Sequence, residues 1–214
     1  MNSGRHFLQI PGPTNLPEQV QRAMARSVID HRGPEFAQLT LSILERLGQI
    51  FATQGPVIAY PSSGTGAWEA ALVNTLAPGQ AVLMFETGHF AVQWSKLASQ
   101  LGLAVELAPG DWGRGVDADL VETRLREDAD HTIKAVAMLH NETSTGTVSE
   151  VAAVRQAMDA ADHPALLIVD AISSLGAIEY RHDEWGVDVT VAGSQKGLML
   201  PPGLGFNALS AKAL

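Results

Sequence analysis

Seven short apolar runs recur along this chain, and the longer amphipathic stretches between them leave few folds open. The runs lie at residues 57–60, 81–85, 103–107, 135–139, 166–170, 187–193 and 205–209. Each has the length of a strand and is too short for a core helix. Between them, Phe90, Trp94, Leu97 and Leu101, and again Val151, Val154 and Met158, recur at helical spacing. Strands alternating with helices predict an α/β fold built on a mostly parallel, seven-stranded, doubly wound sheet. The run Leu166-Leu167-Ile168-Val169 is apolar at every position, as a strand covered on both faces requires. Sheets of this kind bind ligands outside the carboxyl ends of their strands, so the residues just after each run are the candidates for chemistry.

The first 55 residues read differently from positions 56–214, which carry the sheet. Pro17 is placed to open a helix whose apolar positions are Leu16, Val20, Ala23 and Met24. After Gly33-Pro34, the residues Phe36, Leu39, Ile43, Leu47, Ile50 and Phe51 predict a second helix with one buried stripe. Charged residues make up 17% of the chain against about 25% in an average soluble protein, which points to surface covered by further protein, as in a homodimer. Fourteen basic and twenty-three acidic residues give a net charge of −9, which argues against a nucleic acid or an anionic membrane as partner. The absence of cysteine removes disulfides, thiolate metal sites and thiol nucleophiles, and no metal ligands are assigned. No apolar run approaches the roughly 20 residues of a membrane span, and MNSGRHFLQIPGP lacks the layout of a secretory signal, so a cytoplasmic protein is expected.

Read one at a time, the strand ends are individually weak signals. Residues 57–60 lead into Pro61-Ser62-Ser63-Gly64-Thr65-Gly66 and a helical run from Trp68 to Leu76. Glycines there allow close backbone approach, and a helix start aims free N–H groups at an anion such as phosphate. The stretch is neither G-x-G-x-x-G nor a P-loop, and a glycine turn that merely starts a helix explains it equally well. Phe90, beyond residues 81–85, serves as a stacking face or as core. Thr143 lies in the polar stretch His140 to Gly146, ahead of a helix expected to begin near Ser149. Asp170 ends a fully apolar strand, where a carboxylate needs a cationic or hydrogen-bonding partner. Gln195 and Lys196 follow the run at 187–193. Together these make a coherent set. Pyridoxal 5'-phosphate asks for a lysine to hold its aldehyde, an acid facing its pyridinium nitrogen, a flat ring to stack on, and donors for its phosphate and phenolic oxygens.

The stretches IPGPTNLPEQV, IDHRGPEF, YPSSGTGAWEAALVNTL, FETGHF, HNETSTG, IVDAISSLG, YRHDEWGVDV and AGSQKGLMLPPGLGF cover nearly the whole chain. In them the sequence resembles class V aminotransferases of the fold-type I pyridoxal-phosphate superfamily, and most closely the serine-glyoxylate and alanine-glyoxylate branch. The resemblance implies that Lys196 holds the cofactor and moves a proton during transfer, and that Asp170 pairs with the pyridinium nitrogen. It implies that Phe90 stacks on the ring and Thr143 bonds the phenolic oxygen. Gly64, Thr65 and Gln195 would bind phosphate, with Ser63 as a neighbour; His31 and Arg32 receive no role. The implied reaction passes an amino group from serine or alanine to glyoxylate, giving glycine and hydroxypyruvate or pyruvate. Family members also carry a smaller C-terminal domain that supplies the arginine for the substrate carboxylate. The expectation is therefore that residues 56–214 are the cofactor-binding large domain of a longer enzyme. Alternatives are another class V activity such as a lyase, or a catalytically silent large domain.

Overall fold

A computed structural model describes residues 7–214; positions 1–6 of the N-terminal segment lie outside the described residues. Two helices come first, α1 (Glu18–Met24) and α2 (Pro34–Phe51). The alternating part follows as β1 (Val57–Pro61), α3 (Gly64–Thr75), β2 (Ala81–Phe85), α4 (His89–Gln100), β3 (Ala104–Ala108), α5 (Ala118–Glu127) and β4 (Ile133–Leu139). It ends with β5 (Asn141–Glu142), β6 (Thr147–Val148), α6 (Val151–Ala160), β7 (Leu166–Asp170), β8 (Val189–Gly193) and β9 (Leu204–Leu209). Every predicted run became a strand of one seven-stranded sheet, ordered β1-β9-β8-β7-β4-β2-β3. The pairings across β8, β7, β4, β2 and β3 are parallel, while β9 runs antiparallel to both its neighbours. Being antiparallel to β9, β1 points the same way as β8. The carboxyl ends of β1, β8, β7, β4 and β2 therefore share one edge.

Side chains alternate across the sheet, as the period of two in extended chain demands. Leu83, Val136, Met138, Leu167 and Val169 face a cluster completed by Val121 and Leu125 of α5 and Val154 and Met158 of α6. Val82, Met84, Ala137, Ile168 and Val191 face the other way, against Trp68 and Leu72 of α3 and Trp94 of α4. Both faces of the central strands are covered, as their unbroken apolar runs predict. Asp170 lies two residues beyond Ile168, so its side chain faces the α3 and α4 layer.

Both N-terminal helices lie where their spacing predicts, and the second departs from expectation in its burial. Pro17 is the cap residue before α1, and α1 buries no residue. Of the predicted stripe on α2 only Leu47 and Phe51 are buried, while Phe36, Leu39, Ile43 and Ile50 are 38–47% exposed. The physical reason is position: only the last turns of α2 reach the sheet cluster, where the Phe51 carbonyl accepts the His182 N–H at 3.1 Å. The stretch after β4 also holds the hairpin β5–β6, whose turn closes through the Gly146 N–H on the Glu142 carbonyl at 2.8 Å. Gly146 takes a φ of 77° there, a left-handed conformation natural to glycine. Ser149 does not cap α6; its hydroxyl accepts the Val116 N–H at 3.1 Å, and Glu150 precedes the helix without a side-chain cap. Among the described residues no helix is long and apolar enough to cross a membrane.

Candidate functional site

At the shared strand edge lies a cavity of about 190 Å³. Its walls include all eight residues singled out from the sequence: Ser63, Gly64, Thr65, Phe90, Thr143, Asp170, Gln195 and Lys196. They arrive from five strand ends. Ser63 to Thr65 follow β1, Phe90 follows β2, Thr143 follows β4, Asp170 closes β7, and Gln195 and Lys196 follow β8. Leu139, Ile172, Ser173 and Trp68 complete the lining.

One wall is built to receive an anion. The glycine stretch is not a loop before the helix, as the sequence suggests, but its first turn: α3 starts at Gly64. Ser63 caps it through Oγ, which accepts the Gly66 N–H at 3.3 Å, and the Ala67 N–H bonds the Ser63 carbonyl at 2.9 Å. The amides of Gly64 and Thr65 thus stand at the positive end of a twelve-residue helix, free to bond a ligand. Gly64 leaves no room for a side chain, since a Cβ there would come within 2.6 Å of Ile172 Cδ1. Beside it, Gln195 presents an amide whose Oε1 is buried without a partner among the described residues.

The floor carries the acid. Burial pushes the Asp170 carboxyl up to about 7; hydrogen bonds from the Ile172 N–H and the Trp68 indole, and the charge of Lys196, act against that rise. Burial also lowers the Lys196 amine below the ordinary lysine value, although Asp170 pulls it back up. A lysine shifted this way holds more of its nucleophilic free-amine form near neutrality. Its Nζ donates to the Pro11 carbonyl, and the Thr14 N–H bonds the Gln195 carbonyl at 3.0 Å, so the segment before α1 closes over the lysine.

Two groups were not found by reading strand ends. Trp68 reads as core on an apolar helix, yet its Nε1–H donates to Asp170 Oδ2 at 2.8 Å. Glu142 reads as one more polar loop residue, yet it is 1% exposed and its carboxylate accepts N–H groups from Phe90 at 3.3 Å and Ala91 at 3.1 Å. The same carboxylate accepts the Ser144 N–H at 3.0 Å and its hydroxyl at 2.6 Å. The loop after β4 thereby holds the first turn of α4, and with it Phe90. His140, at the head of that loop, is buried against Tyr180 and Trp185, and burial lowers its pKa to about 4.

The donor set suits a flat, anionic, carbonyl-bearing ligand. The cavity offers a helix start for a phosphate, an aromatic face for a ring, a hydroxyl from Thr143, an acceptor carboxylate for a ring N–H, and an amine for an aldehyde. Pyridoxal phosphate is a ligand that carries groups of these kinds.

Comparison with known proteins identifies the family to which the chain is similar. A family described as Aminotransferase class-V matches residues 6–214. The chain is 50% identical over 212 residues to a serine–glyoxylate aminotransferase of Methylorubrum extorquens, covering 99% of this chain and 53% of that one. It is 48% identical over 206 residues to an L-aspartate–glyoxylate aminotransferase of Paracoccus denitrificans, covering 96% of this chain and 52% of that one. A solved alanine–glyoxylate aminotransferase from Nostoc sp. superimposes with a TM-score of 0.87 at 33% identity, covering 95% of this chain and 53% of that one. The chain spans about half the length of the curated relatives it matches.

Proposed function

We propose that this chain, which belongs to the class V aminotransferase family, provides the pyridoxal-phosphate-binding half of an enzyme that moves an amino group from serine or alanine to glyoxylate. The observation that carries the reading is the meeting of Lys196, Asp170 and the start of α3 in one cavity. The cofactor supplies an electron sink for charge that develops on the amino donor's Cα.

In this reading the Gly64 and Thr65 amides and the Gln195 side chain bind the phosphate. Phe90 covers the ring and keeps water from that face. Thr143 donates to the phenolic oxygen, while the Asp170 carboxylate keeps the ring nitrogen protonated. A cationic ring beside Asp170 would lower its pKa from about 7 and favour the ionised acid. Lys196 Nζ, with its proton affinity reduced by burial, would take the proton from the donor Cα and pass it to the cofactor carbon, and would run that transfer in reverse when glyoxylate receives the amino group. Glycine is the product on the glyoxylate side, and hydroxypyruvate or pyruvate on the donor side.

We also propose that the protein works as a homodimer, supported by the exposed row Phe36, Leu39, Ile43 and Ile50 on α2. The transfer itself is tested by mixing cofactor-loaded protein with serine, alanine or aspartate and measuring the 2-oxo acid formed in a single turnover. Hydroxypyruvate or pyruvate released in proportion to loaded sites supports the reading; no 2-oxo acid from serine or alanine would contradict it.

A further inference from the structure

Asp170 is gripped at both oxygens. The Ile172 N–H donates to Oδ1 at 2.6 Å from within the turn after β7. The second donor comes from a different layer, because Trp68 Nε1–H reaches Oδ2 at 2.8 Å across 102 positions of chain. Trp68 is braced in turn. Its ring lies nearly parallel to that of Trp94, with centroids 5.6 Å apart and 13° between the planes. Trp94 is fully buried and sits one helical turn after Phe90 on α4. Helix α4 therefore controls two walls of the cavity, one directly through Phe90 and one through the stacked indoles.

An indole N–H donates and never accepts. Opposite Asp170 it keeps Oδ2 an acceptor and disfavours the rotamer that would place an acid O–H there, while burial alone drives the carboxyl toward the neutral form. We propose that Trp68, braced by Trp94, is a positioning residue that fixes the orientation of Asp170 and holds its carboxylate ready to accept a ring N–H from the cavity. The identity of that ring rests on the cofactor reading above; the grip on Asp170 does not. Phenylalanine at position 68 would keep an aromatic surface against Trp94 and lose the donor.

The test uses the cofactor-free chain with ¹⁵N-labelled tryptophan, which gives four indole N–H signals, and ¹³C-labelled aspartate. Glu142, Lys196 and Tyr180 also act electrostatically on Asp170, so Asp170→Asn serves as the control that isolates its contribution. The Trp68 signal is expected to move with pH at the same midpoint as the Asp170 carboxyl, and to lose that movement in Asp170→Asn. In Trp68→Phe the Asp170 midpoint is expected to rise by about one pH unit, the shift that loss of a hydrogen bond to a charged group produces. A Trp68 signal that stays fixed through the Asp170 midpoint overturns the proposal, as does an unchanged Asp170 midpoint in folded Trp68→Phe. Should that variant fail to fold, the wild-type and Asp170→Asn titrations decide alone. None of these readouts involves cofactor, so failure of the cofactor reading would show separately, as absence of a lysine-dependent absorption band.

Discussion

Glu142 Oε2 accepts the Ala91 N–H at 3.1 Å, so a hairpin on one side of the cavity carries the first turn of the helix on the other. The carboxylate meets the positive end of α4 and satisfies amides that the helix cannot satisfy itself. Replacing Glu142 with alanine would leave the Phe90, Ala91 and Ser144 amides without this partner in a buried place. The expected cost is about 2 kcal/mol or more in urea unfolding at neutral pH, with weaker cofactor binding because Phe90 loses its anchor. Glu142→Gln keeps an acceptor oxygen and should recover part of the loss. An alanine variant with wild-type stability would refute this role.

Asp170 links function to a stability cost whose sign can be stated. A free aspartate ionises near 3.9, whereas burial holds the folded carboxyl at about 7. Between those values the folded chain keeps a proton that the unfolded chain has released, so stability falls as pH rises through the window. Asp170→Asn removes the penalty. The cofactor-free variant is expected to match wild type near pH 4 and exceed it by a few kcal/mol at pH 8, while losing cofactor binding. Urea unfolding at both pH values checks this, and a gap that does not grow with pH would contradict it.

Gly12 is held against the lysine at a φ of 112°, and a Cβ there would lie 2.6 Å from Lys196 Nζ. Alanine is strained at that φ, and its Cβ would press on the end of the lysine, so Gly12→Ala both displaces the amine and strains the segment that closes over it. Cofactor affinity should fall about tenfold or more, equivalent to at least 1.4 kcal/mol, and the unfolding midpoint should fall as well because alanine is strained at this φ. Equilibrium cofactor titration beside thermal unfolding separates the two effects; unchanged affinity would show that the lysine has room to spare.

The exposed face of α2 predicts self-association. Leu39→Glu combined with Ile43→Glu places two charges on that face, where both residues are more than 40% exposed. Light scattering should show a dimer for wild type and a monomer for the double variant, with sheet stability unchanged because neither side chain belongs to the core clusters. A monomeric wild type would exclude the proposed dimer face.

Much of this was legible in the sequence because strand ends are encoded locally. Apolar runs of strand length placed Phe90, Thr143 and Lys196 beyond their strands and Asp170 at the last position of its own, and parallel pairing brought those ends to one edge. Trp68 and Glu142 were hidden for the opposite reason. Their roles depend on partners 102 and 51 positions away, and no periodicity marks such pairs. In the sequence Trp68 is one residue of a helical run, and Glu142 is one polar residue of a polar stretch. For α2, spacing showed that one face is apolar but could not show what covers it. The left-handed turn at Gly146 likewise turned an apparent loop into a hairpin.

Lys196 is the residue on which the functional reading turns, and titration with pyridoxal phosphate followed by visible absorption addresses it directly. Wild-type protein is predicted to develop a saturable band at one cofactor per chain, and folded Lys196→Ala is predicted to show none. A band of equal strength in Lys196→Ala, or no band in wild type, would contradict the assignment of this cavity as the cofactor site.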